Sequence, residues 1–91
     1  MAMGNPRRGL LWAIIQEMRV LGAEEWHNSD YLTLQLINAG YWAGKRVRWP
    51  ERTVNSYLSQ HLEIFEWVDD NTYRLRPHMR SETALHQGSG A

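Results

Sequence analysis

The sequence predicts a small α+β domain, three helices followed by a two-stranded antiparallel β-hairpin. Three observations predict it. Apolar residues recur at three- and four-residue steps over residues 10–21 and again over 54–62, the period of a helix with one buried face. A third cluster, Tyr31, Leu32, Leu34, Leu36 and Ile37, follows a run of N-cap residue types. Beyond Leu62 the chain turns β-like, with Ile64, Phe65, Trp67 and Val68 on one side of an Asp-Asp-Asn turn and Tyr73 and Leu75 on the other.

Composition sets the outer bounds. A chain of 91 residues, 43% apolar and 22% charged, has material for one core and no second domain, which excludes two-domain enzymes. It carries no cysteine, so neither a disulfide framework nor a zinc knuckle is available, and a reducing cytoplasm suits it. The longest apolar run, residues 10–15, falls far short of the roughly 18 residues of a membrane span, and no signal sequence opens the chain. A cytoplasmic location and no membrane partner are expected.

The first helix, residues 6–21, starts at Asn5-Pro6 and directs Leu10, Leu11, Ile14, Ile15, Met18 and Leu21 inward, with Gly22 at the C-terminal cap. Trp12 falls off this stripe beside Arg8, Gln16 and Arg19, as a boundary or surface residue. Asn28-Ser29-Asp30 opens the second, shorter helix, which stops before Gly40, and Trp26 is expected to pack between the two helices. Residues 41–49 hold Gly44 and three basic residues without a helical period, a loop ending in a short extended stretch.

Pro50 suits a first helical position, and Val54, Tyr57, Leu58 and His61 or Leu62 form one stripe of a third helix over residues 50–61. Arg52, Asn55, Ser56 and Ser59 occupy its other side. In the hairpin, a two-residue loop at 70–71 would pair Trp67 with Arg74. A three-residue loop at 69–71 pairs Trp67 with Tyr73 and Phe65 with Leu75, gathers four large apolar side chains on one face, and uses Asn71 in the left-handed conformation. The second register is preferred, which sends Trp67 to the core. The domain is expected over residues 5–77, with 78–91 a C-terminal tail holding at most one helical turn near 81–85.

This order, with a third helix reading Pro50-Glu51-Arg52-Thr53-Val54-Asn55-Ser56-Tyr57-Leu58-Ser59 and a strand-turn-strand closing in Asn71-Thr72-Tyr73-Arg74-Leu75, resembles the winged helix-turn-helix superfamily. The resemblance covers about residues 6–76 and rests on residue type. It implies a DNA-binding protein, a transcription regulator among the options, with the third helix in the major groove of double-stranded DNA. Arg52, Asn55, Ser56 and Ser59 then become base-edge or phosphate contacts, and Lys45, Arg46 and Arg48, in the basic loop 45–48, the clamp on the phosphate backbone. The wing departs from the pattern, because Glu63, Glu66, Asp69 and Asp70 make it acidic up to Arg74 and phosphates would repel it.

Zero net charge hides a segregated pattern. Residues 45–60 carry about +3, against about −3 over 22–44 and −4 over 61–73. The basic band is either a nucleic-acid footprint or a solvated loop paired with its acidic neighbours. Five tryptophans exceed what one small core buries; Trp42 and Trp49 flank the basic loop, where they stack on bases or cover the end of the second helix. The alternative is a protein-interaction winged helix without DNA binding, a dimerisation or adaptor module meeting a homodimer or protein partner through Trp12, Arg8 and Arg19.

His78, Glu82 and His86 stand four apart, yet the tail lacks the apolar stripe that would hold them on one helix, so no metal site is assigned. His27 and His61 sit at element ends and suit capping or packed roles. No phosphate loop, nucleophile elbow or zinc-protease motif occurs, so no catalytic residue and no cofactor are assigned and an enzyme is not expected.

Overall fold

A computed structural model describes residues 9–43 and 47–81. Helix α1 (Gly9–Gly22) buries Leu10, Ala13, Ile14, Ile15 and Met18, the stripe its spacing predicts. It ends at Gly22, where a φ of +148° and the Glu25 side chain, 2.6 Å from where a Cβ would sit, disfavour any larger residue. The Glu25 amide closes the turn on the Gly22 carbonyl at 3.1 Å. The same carbonyl accepts from the buried His27 ring at 2.7 Å, so His27 both packs and caps α1.

Strand β1 (His27–Asn28) follows, and then helix α2 (Ser29–Asn38). Asn28 is the N-cap of α2, its Oδ1 accepting from the amides of Asp30 at 2.8 Å and Tyr31 at 3.2 Å. Leu32 and Leu36 face the core, and the Thr33 hydroxyl bonds back to the Ser29 carbonyl at 2.8 Å. Helix α3 (Pro50–Gln60) starts on a proline, with no side-chain cap from Trp49. Thr53 serves its first turn instead, donating its amide (3.0 Å) and its hydroxyl (3.1 Å) to the Trp49 carbonyl. No strand forms at 47–49.

Strands β2 (Phe65–Asp69) and β3 (Thr72–Leu75) form the hairpin, and β1 joins it to give an antiparallel sheet of order β1-β3-β2. The architecture is α+β and compatible with a winged helix, with three strands where two were expected. The extra strand is two residues long, His27 opposite Tyr73 and Asn28 opposite Thr72. Phe65, Tyr73 and Leu75 from the sheet meet Ile14, Met18, Leu32, Leu36, Val54 and Leu58 from the helices in one core.

The hairpin has the expected pairs, Phe65 with Leu75 and Trp67 with Tyr73, and reaches them by a different route. Asp69 pairs with Thr72, the register slips between Trp67 and Asp69, and Asp70, with φ of +33°, takes the left-handed position given to Asn71. A bulge and a two-residue turn thus replace the three-residue loop.

Three further expectations are corrected. Trp67 is not in the core: β2 is buried only at Phe65, and Trp67, 57% exposed, folds over the turn and donates Nε1–H to the Asp70 carbonyl at 3.0 Å. Trp26 does not sit between the first two helices; it is exposed, with the Arg74 guanidinium over its ring. The packed chain also runs past Pro77, since a 3-10 turn, Pro77–Met79, buries Met79 in the core. Residues 6–8 of the first helix and the turn near 81–85, beyond Ser81, lie outside the described residues.

Candidate nucleic-acid interface

Helix α3 is held by the core on one side and open on the other. Val54 and Leu58 are fully buried and Tyr57 packs beside them, which fixes which side chains point away. Arg52 and Ser59 are exposed and Ser56 half-buried, at four- and three-residue steps along the outward face. Asn55 lies at the edge of that face, half-buried, its Oδ1 shielded from solvent without a hydrogen-bond partner.

The two serines are engaged within the helix. Ser59 donates its hydroxyl to the Ser56 carbonyl at 3.1 Å, and Gln60 donates its amide to the Ser56 hydroxyl at 2.8 Å. Their hydroxyls keep acceptor capacity toward an incoming group. His61 ends the helix, its ring donating to the Tyr57 carbonyl at 2.8 Å and stacking on the Tyr57 ring at 5.9 Å, a capping and packing role.

Arg48 is exposed just ahead of α3, so Arg48 and Arg52 mark the two basic positions of this face among the described residues, and neither forms an ion pair there. Lys45 and Arg46 lie outside the described residues. Trp49 is 53% exposed beside Arg48. Trp42 instead covers the core at the end of α2, edge-on to Tyr41 at 5.2 Å between ring centres.

Three further arginines, Arg74 in β3 and Arg76 and Arg80 beyond it, are committed to the fold. Arg74 donates Nε–H (3.1 Å) and a terminal N–H (2.7 Å) to Glu66 Oε1, and Arg80 approaches Oε2 at 3.9 Å. The Arg74 hydrogen bond is the largest effect on the Glu66 carboxyl; burial opposes it, the charges of Arg74, Arg80 and Arg76 add to it, and the carboxyl is held below the usual carboxylate range. Arg76 bonds the Leu62 carbonyl and Arg80 the Leu75 carbonyl. What the wing presents outward is therefore Trp67, Val68, Asp69 and Asp70, all exposed, an acidic and apolar tip.

Of the side chains expected to meet a partner, Trp12 is half-buried on α1 and Arg19 is tied to the segment that follows β3, donating to the carbonyls of Met79 at 3.1 Å and Ser81 at 3.3 Å. Arg8 lies outside the described residues, as do Glu82 and His86; His78 is exposed. Among the described residues no helix is long and apolar enough to cross a membrane.

One feature went unread in the sequence. Tyr31, Leu34 and Ile37 stand about half exposed at three-residue steps on α2, and Leu34 and Ile37 line a cleft with Asp30, Thr33 and Glu51. The signal was present, because all three fall off the Leu32 and Leu36 stripe on a helical wheel and form a second stripe. Comparison with known proteins finds no matching family model, and no curated protein and no solved structure matches the chain.

Proposed function

We propose that this chain is a DNA-binding winged-helix domain, with α3 in the major groove of double-stranded DNA and the basic loop 45–48 on the phosphate backbone. The observation that carries the reading is the outward face of α3. The core takes Val54 and Leu58, and the opposite side offers Arg52, Asn55, Ser56 and Ser59 with no part of the described fold covering Arg52 or Ser59. A guanidinium with no ion pair among the described residues, beside small hydroxyls, suits base edges and phosphates, where Arg reads guanine; Asn55, at the edge of the face, reads adenine only once its shielded Oδ1 turns outward. The acidic wing tip stays off the phosphates, which confines contact to the loop and α3. A regulatory role in the cytoplasm goes with this reading and with a chain free of cysteine.

An amide-shift titration with mixed duplex DNA tests it. Shifts clustered on Arg48, Arg52, Asn55 and Ser59 support it, and a spectrum unchanged at low salt defeats it. One observation favours a second reading, a protein-interaction winged helix without DNA binding. Trp67 and Val68 stand exposed on the wing tip beside Asp69 and Asp70, an apolar pair that a protein partner covers and a phosphate backbone does not. In that case the wing and the α1 side chain Trp12 are the surfaces that respond to a partner.

A further inference from the structure

The cleft between α2 and α3 is receptive and sits beside its own complement. It is an open, shallow depression of about 380 Å³, lined by Asp30, Thr33, Leu34 and Ile37 from α2 and Glu51 from α3. Both charged residues among the described lining residues are acidic, and the two apolar ones, Leu34 and Ile37, are 51% and 47% exposed. Ile37 continues into a second depression of about 250 Å³ that reaches Pro50. Immediately before Pro50 come Arg48 and Trp49, both exposed; Arg48 has no ion pair among the described residues, and the Trp49 ring is left half in solvent.

One patch therefore holds an apolar slot with an acidic rim and, next to it, an exposed indole with a guanidinium. A two-fold dimer needs this kind of self-complementarity, in which a group of one copy meets a different group of the other and the contact is repeated by symmetry. We propose that the chain self-associates through this face, the Trp49 of each copy entering the partner's Leu34 and Ile37 cleft and Arg48 facing the partner's Asp30 and Glu51. Tryptophan and arginine are the side chains that most often anchor such contacts, because the ring buries much area and the guanidinium satisfies carboxylates in a fixed geometry. The patch is small, so the dimer is of the weak class that assembles with rising concentration. Nothing in this depends on DNA binding, and the readout below is molecular mass in DNA-free protein.

Sedimentation velocity on the full chain over a roughly hundredfold concentration range reads the association directly. The wild type should shift from monomer to dimer. Trp49→Ala and Leu34→Ser should each weaken the dimer by about tenfold or more while helical circular dichroism stays unchanged, since both side chains are at the surface. Arg48→Glu should weaken it as well. Mixing Arg48→Glu protein with Glu51→Arg protein should regain a dimer that neither forms well alone, because both symmetry-related charge contacts are then restored. A wild type that stays monomeric throughout overturns the proposal. So does a dimer that Trp49→Ala and Leu34→Ser leave intact, which would assign self-association to another face.

Discussion

The Arg74 guanidinium lies over the Trp26 ring, 4.2 Å from its centre, while the same group grips Glu66. Trp26 leads into β1, Arg74 belongs to β3 and Glu66 to β2, so one side chain ties all three strands on the face away from the core. A partly exposed cation–π contact contributes about 0.5–1 kcal/mol and an ion pair of this exposure no more. Arg74→Ala should therefore cost about 1–2 kcal/mol in urea unfolding. Trp26→Ala should show a coupling to it in a double-mutant cycle, and additive single effects would remove the stack as a contributor.

The same arginine sets a pH dependence. Glu66 has its carboxyl lowered in the folded state, chiefly by the Arg74 hydrogen bond, and returns to an ordinary value near 4.3 on unfolding. A group depressed in the fold adds stability above its unfolded pKa and loses it as pH falls through the folded one. The stability gap between wild type and Glu66→Gln should thus be full above about pH 5 and close progressively in more acid solution. A gap that is constant with pH in chemical denaturation would mean the carboxylate charge is not what stabilises the strands.

Helix positions were legible in the sequence because a 3.6-residue period is a local signal carried by many residues. Ile14, Met18, Val54 and Leu58 reach zero exposure as their spacing requires. Strand β1 was not legible, since two residues show no alternation and His27 becomes a strand only by pairing with Tyr73, 46 positions away. Trp67 was misplaced for a related reason. The pleat puts it on the same face as Phe65, but a period cannot say where along a strand the covering helices stop. For the candidate site, residue types and their face on α3 were readable. That Arg74, Arg76 and Arg80 are spent on the fold, and that α2 carries a second apolar stripe beside an acidic rim, required three-dimensional neighbours.

Stability measurements separate the buried and exposed members of the hairpin. Phe65→Ala empties a fully buried position and should cost about 3–5 kcal/mol. Trp67→Ala loses one exposed hydrogen bond to the Asp70 carbonyl and should cost about 1 kcal/mol or less. Met79→Ala should cost about 2 kcal/mol or more, since Met79 is only 8% exposed and packs in the core. Equilibrium denaturation of the three variants checks the order. A neutral Met79→Ala would return the Pro77–Met79 turn to the tail that the sequence suggested.

Asn55 offers the sharpest contrast between folding and recognition on α3. Its shielded Oδ1 has no partner in the described fold, and an unsatisfied acceptor is a cost that alanine does not carry. Asn55→Ala should accordingly leave the unfolding midpoint unchanged or slightly raised. If α3 reads bases, the same change should reduce discrimination between duplexes by about 1–3 kcal/mol while changing the salt dependence little, since an amide displaces no counterion. Arg52→Ala should show the opposite pattern where it meets phosphate, with affinity falling on every duplex and the log–log salt slope losing about one unit. Fluorescence anisotropy across a salt series separates the two. An Asn55→Ala protein that is clearly destabilised yet binds all duplexes as before would make Asn55 a packing residue and remove it from the interface.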